Sequence, residues 1–135
     1  VITVNEIYNR IKNEVDAEFS SLNINFSSVY TPTPSRFPTL FISELDTRGL
    51  GSSATLQGGD EAVEITFELQ CYSDLTAGAT EQARTIIDFA ISRFRNLGFS
   101  LSTNRPVENL ANTSIKRRVA RVSRVFGNED TLPTT

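Results

Sequence analysis

The sequence has no histidine, no methionine and no tryptophan, and a single cysteine. Without histidine, the commonest general base and the commonest zinc ligand are gone, and a serine or cysteine nucleophile would lack its usual imidazole partner. One cysteine can form neither an internal disulfide nor a thiolate zinc site, which constrains the redox compartment weakly and fits an intracellular origin. That residue, Cys71, falls on the apolar side of an alternating segment and reads as a small buried thiol rather than a reactive one. Long apolar runs are missing too. None approaches the ~20 residues of a membrane span, and Val-Ile-Thr-Val at the start has neither the basic flank nor the apolar core of a secretory signal. Nor is there an excess of positive charge. A net charge of −3 and a pI near 5.0 argue against a general nucleic-acid binder, although a local patch can depart from the total.

What is present is the patterning of one folded domain. A chain of 135 residues is long enough to bury a substantial core. The organising stretch runs from Glu61 to Phe99. Val63, Ile65, Phe67, Leu69 and Cys71 alternate with Ala62, Glu64, Thr66, Glu68, Gln70 and Tyr72, which predicts a strand with one buried and one mostly wet face. After a polar bridge from Ser73 to Thr80, the residues Ala83, Ile86, Ile87, Ala90, Ile91, Phe94 and Leu97 recur at helical spacing. Gly98 supplies a left-handed stop, and Phe99 stands where a C-terminal capping motif makes its apolar contact.

Around this centre the signals vary in strength. Thr3 followed by Glu6 predicts a capping box, and Val4, Ile7, Ile11, Val15, Phe19 and Leu22 predict a helix from Val4 to about Ser20. Asn23 to Phe26 alternates briefly, as a short edge strand would. Prolines 32, 34 and 38 then break regular structure. Thr39 to Leu45 reads as a strand with Leu40 and Ile42 inward and Phe41 opposite. A long loop is expected over 47–60, its glycine-rich part spanning Arg48 to Asp60, between two antiparallel neighbours. A loop of that length suggests a mobile or partner-binding arm, or disorder. Gly49-Leu-Gly51 lacks both the rest of a phosphate-loop motif and the helix that should follow it. Phe99-Ser-Leu101 reads as a short strand, and Arg105-Pro106 as a break. For Ile115 to Phe126 a helical stripe competes with a strand whose inner face Arg117 and Arg121 interrupt. The density of β-branched residues favours the strand. Residues 127–135 read as a flexible tail that orders only against a partner. The fold class is therefore α/β (α+β): residues 1–126 form a single domain, ordered helix, strands, helix, strands, with a mixed or antiparallel sheet packed on two main helices.

Little of this carries chemistry. Glu64 and Glu68, or Glu44 and Asp46, could share a strand face at a spacing of ~6–7 Å, open to acid–base work or calcium, but solvated faces show such pairs routinely. No enzymatic activity, cofactor or metal is expected. The one concentrated electrostatic feature is Lys116, Arg117, Arg118, Arg121 and Arg124, five of the thirteen basic residues within nine positions. It suits a subunit interface, where arginines would meet carboxylates such as Glu64, Glu68, Glu129 or Asp130 of a neighbour. It also suits a solvated face or nucleic-acid contact, although no aromatics interleave with the charges for base stacking.

Taken in order, these features resemble the tail terminator, or tail completion, proteins of long-tailed bacteriophages. The resemblance lies in the N-terminal helix, the proline-broken segment, the long polar loop and the alternating strand ending in Tyr72-Ser-Asp. It continues in the helix of form Ala83-Arg-x-x-Ile-x-x-x-Ala90, the Gly98-Phe99 pair and the closing segment Ile115-Lys-Arg-Arg-Val-Ala-Arg121. Such proteins imply a virion component assembled in the host cytoplasm: a homo-oligomeric, hexameric ring on the head-proximal end of the tail tube. That ring stops tube growth and meets the head connector, while double-stranded DNA passes through its lumen. No membrane or catalytic residue is implied. The resemblance would make the loop, with Arg48, Leu50 and Leu56, an arm between subunits or against the tube protein. Glu64, Glu68 and the basic segment would lie at a ring interface or near the lumen. Head-completion and neck connector proteins share this layout.

The helical stripe itself makes a test. Ile87→Asp or Phe94→Asp, each placing a charge in the core, should abolish the cooperative urea transition; a variant that still unfolds cooperatively would contradict the packing scheme.

Overall fold

The computed structural model describes residues 2–31, 34–49, 62–108, 114–127 and 130–133. Helix α1 (Val4–Glu18) starts at Thr3, whose hydroxyl accepts the Glu6 backbone N–H at 3.1 Å and satisfies one of the orphan donors of the first turn. Its stripe, Ile7, Ile11 and Val15, is fully buried. A single 3₁₀ turn at Ser20–Leu22 follows, closed by Asn23 in the left-handed region at φ 52°.

Five strands then make one sheet: β1 (Asn25–Ser27), β2 (Thr39–Gly49), β3 (Val63–Ser73), β4 (Ser100–Val107) and β5 (Lys116–Phe126), with helix α2 (Ala79–Asn96) between β3 and β4. The spatial order is β1-β2-β3-β5-β4. β1 runs parallel to β2 and every other pair is antiparallel, so the sheet is mixed and the domain is α+β.

Both helices lie on one face. α2 covers β3, β5 and part of β4, while α1 packs beside α2 toward β2, with Val4 and Tyr8 near Ile42. The core between the layers takes Leu40 and Ile42 from β2, and Ile65, Phe67, Leu69 and Cys71 from β3. Ala120 and Val122 come from β5, and the expected stripe comes from α2. Each large apolar side chain of that stripe contributes about 1.5–3 kcal/mol through its burial. Burial also raises the Cys71 thiol far above its ordinary value, which keeps it protonated and unreactive.

The end of α2 follows its predicted motif bond for bond. Gly98 adopts φ 90°, its N–H reaches the Arg95 carbonyl at 2.9 Å, and the Phe99 N–H reaches the Phe94 carbonyl at 3.0 Å. The Phe94 and Phe99 rings meet edge to face at 5.0 Å, and Phe67 and Phe126 extend the cluster.

Several expectations need correction. β2 continues through Thr47, Arg48 and Gly49, which were expected in the loop; residues 50–61, with Leu50 and Leu56, lie outside the described residues. β4 runs through Arg105-Pro106 because it is an outer strand, where a missing N–H need not cost a ladder bond. A β-bulge between Glu44 and Asp46 puts Glu44 opposite Phe67 and Asp46 opposite Thr66, so these two carboxylates do not share a face. Of the segment expected as a flexible tail, the described residues contact their own domain: the Gly127 N–H donates to Asp130 Oδ2 at 2.7 Å, and Leu132 packs on the core. Lys116–Phe126 is strand, as the β-branched residues of this segment favoured, and Ile115 precedes it.

An ion cluster ties the helices together. Glu14 accepts Arg10 Nε and Arg93 Nε, both at 2.7 Å, with side chains no more than 30% exposed. Burial by itself would raise the Glu14 carboxyl, but hydrogen bonds from Arg93 and Arg10 outweigh it and hold the group below its ordinary value. The stability this gives is present above the unfolded-state value, ~4.3, and is lost as pH falls through the lower folded value. Glu14→Gln should cost about 1–2 kcal/mol in urea unfolding at neutral pH and progressively less below about pH 4; a cost that does not change with pH would contradict this role.

Candidate functional site

The face of the sheet opposite the helices carries the polar and charged residues that the sequence singled out. Strand register sets them in rows. Thr39, Tyr72, Arg117 and Val107 lie side by side, then Phe41, Gln70, Val119 and Arg105, then Ser43, Glu68, Arg121 and Thr103. Beyond these come Arg48, Glu64 and Val125. The alternation of β3 dictates this arrangement, since every second residue must leave the core.

One end of the face is not wet. Tyr72 is fully buried and Gln70 nearly so, a correction to the polar exterior expected of β3. Tyr30, Phe41 and Tyr72 pack with ring centroids 5.6–6.4 Å apart, and the Arg117 guanidinium stands 5.8 Å from the Tyr72 ring. Burial raises the Tyr72 hydroxyl above its ordinary value and hydrogen bonding with Tyr30 raises it further, while Arg117 opposes both. From this aromatic end a polar relay crosses the face. The Tyr72 hydroxyl donates to Gln70 Oε1 at 3.3 Å, Gln70 Nε2 donates to Glu68 Oε1 at 2.8 Å, and Arg121 Nε donates to Glu68 Oε2 at 2.9 Å. At the far end Arg48 meets Glu64 at 2.8 Å, with Val125 and Leu45 about half exposed nearby.

The basic segment of β5 therefore divides. Arg117 and Arg121 belong to the open face, whereas Lys116, Arg118 and Arg124 point to the helix side. Arg118 Nε donates to Asn104 Oδ1 at 2.7 Å. Arg124 is a structural clasp: its Nη1 donates to the Leu97 carbonyl at 2.6 Å, its guanidinium lies 4.2 Å from the Phe126 ring centroid, and it pairs with Asp130 at 3.7 Å. The carboxylates expected from a neighbour at Glu64, Glu68 and Asp130 are thus engaged within the chain; Glu129 lies outside the described residues. Sequence periodicity could not reveal the role of Arg124, because its acceptor is a backbone carbonyl at the end of α2.

Compared with known proteins, the chain matches no family model and no curated sequence.

Among the described residues no three of the types His, Cys, Asp or Glu converge to hold a metal ion. A recess of about 400 Å³ lies between the first turns of α2 and the ends of β4 and β5, with Lys116, Arg117 and Arg118 on one wall and Glu108 the one carboxylate among its described lining. The open face can hold oppositely charged or amphipathic protein surface: it offers paired charges and the half-exposed side chains of Tyr30, Leu45 and Val125, while Phe41 and Tyr72 are buried.

Arg124 gives the clearest single-residue test here. Arg124→Met should lower stability by about 1.5–3 kcal/mol through the unpaired Leu97 carbonyl. A fall under about 0.5 kcal/mol in chemical denaturation would remove its clasp role.

Proposed function

We propose that this chain is a structural virion protein that forms a hexameric ring at the head-proximal end of a phage tail tube. There it ends tube polymerisation and joins the tail to the head. The observation that carries this reading is the one-sidedness of the sheet. Helices cover the apolar rows of one face, and the other presents a lattice of paired charges with half-exposed Tyr30, Leu45 and Val125, chemistry suited to protein contact. The order of elements, helix, strands, helix, strands, agrees with the resemblance on which the ring is based. No helix among the described residues is long and apolar enough to cross a membrane.

In this reading the partners are further copies of the chain, the tail tube protein and the head connector, with double-stranded DNA in the lumen. Assembly takes place in the host cytoplasm. A neck or head-completion role belongs to the same assembly and uses the same surfaces. The gathering of Lys116, Arg117 and Arg118 beside Arg105 favours a second reading, a nucleic-acid-binding module. Sub-micromolar DNA binding with a steep salt dependence would support that module over the ring.

Electron microscopy of particles assembled without the protein tests the main proposal. Overlong tails, or tails without heads, are the expected outcome, and normally joined particles would contradict it.

A further inference from the structure

We infer that the outer edge of β2 beyond β1 is a docking site for an extended, lysine- or arginine-bearing segment of another protein, which adds to the sheet as a further strand. Such docking goes beyond the ring reading and does not depend on it.

β1 lies along only the first residues of β2. Its last pair is Ser27 with Phe41, whereas β2 runs on to Gly49, and among the described residues no strand meets that remaining edge. The Asn25 N–H donates to the Pro38 carbonyl at 2.9 Å, so position 38 turns its backbone toward β1. Backbone groups alternate sides along a strand, and by that alternation Ile42 and Glu44 turn theirs outward as well. A row of outward N–H and C=O groups is matched by another extended backbone.

Beside this edge a recess of about 300 Å³ opens under the first turns of α1. Val4 and Ile42 give it apolar wall, and Asn5, Tyr8 and Ser28 bring polar groups. Glu44, opposite Phe67 and hence on the helix side, is exposed and is the one charged residue among the described lining. It accepts a hydrogen bond from the Thr47 hydroxyl, a partner that brings no charge. An added strand sends alternate side chains to the same side as Glu44. A lysine or arginine there would lay its stem on Val4 and Ile42 and bring its charge to the Glu44 carboxylate. The next side chain, on the open face, would stand near exposed Asp46, whose neighbour Arg48 is already paired with Glu64. The bulge between Glu44 and Asp46, with these two carboxylates, discourages indiscriminate pairing and so selects the sequence that docks. A loop or tail of a second copy does not fit, because residues 50–61 and 127–135 hold no lysine or arginine. β4, the other outer strand, holds only Arg105, followed by Pro106, which cannot donate.

The test follows the amide resonances of the isotope-labelled full chain while an extended peptide of about eight residues, alternating threonine and lysine, is added at low salt. Two control peptides match it. One has glutamate in place of lysine, and the other keeps lysine but carries backbone N-methyl groups that block strand pairing. Saturable shifts confined to residues 42–48, Ser28 and the first turns of α1 are expected with the lysine peptide, and binding at least about fivefold weaker with either control. Glu44→Lys, at an exposed position, should weaken binding of the lysine peptide about as much, with urea unfolding establishing that the variant stays folded. Shifts centred elsewhere, no shifts, equal binding by either control or an unaffected Glu44→Lys variant would overturn this docking site. Concentration-dependent shifts of the same amides without peptide would make a second copy the occupant and overturn the partner named here.

Discussion

The fold depends on the strict alternation of β3. Eleven residues without a break in period send Ile65, Phe67, Leu69 and Cys71 to the helices and Glu64, Glu68, Gln70 and Tyr72 to the other face. A one-residue slip would exchange the two sets, exposing the apolar row and burying two carboxylates, so register on this strand is strongly specified. β2 and β5 pair along nearly its whole length and inherit the same division. α2 then lies on the only face that can bury its stripe, and α1 is positioned against α2 through Glu14 and Arg93.

Closure of the domain is a matter of backbone groups. The last carbonyls of α2 need acceptable partners, and three come from different sources: the N–H groups of Gly98 and Phe99, and the guanidinium of Arg124. The same Arg124 reaches Phe126 and Asp130, so the end of α2, the end of β5 and the returning C-terminal segment share one side chain. A Cβ at residue 98 would stand 3.2 Å from that side chain, at a φ that disfavours any other residue. Glycine is required twice over at this position.

Period and capping signals made much of this legible. The 3.6-residue stripes of α1 and α2, the alternation of β3, and the Gly98-Phe99 stop all follow from local sequence. Three kinds of feature did not. The extent of β2 and β4 was hidden because glycine, proline and polar residues suppress strand signals, yet β4 is an outer strand and β2 runs on past its pairing with β1, where they are tolerated. The bulge that separates Glu44 from Asp46 leaves no mark in composition. The burial of Tyr72 and Gln70 depends on Tyr30 and Phe41 arriving from elsewhere in the chain. The candidate site was legible only as residue types. Arg121 and Glu68 were recognisable as charged, but their pairing within the chain follows from the strand order β3-β5, which skips α2 and β4.

With one sheet face covered by the helices, the association proposed for this chain would fall to the surface that remains, the open face above all. Contacts between unlike surfaces either close into a ring or grow without limit, and the proposed tail-ending role would demand closure. Analytical ultracentrifugation across a wide concentration range tests that claim most directly. The account predicts a single assembled species of fixed mass, a small whole multiple of the 14.9 kDa chain, whose proportion rises with concentration. A lone monomer boundary, or a ladder of ever larger species, would contradict it.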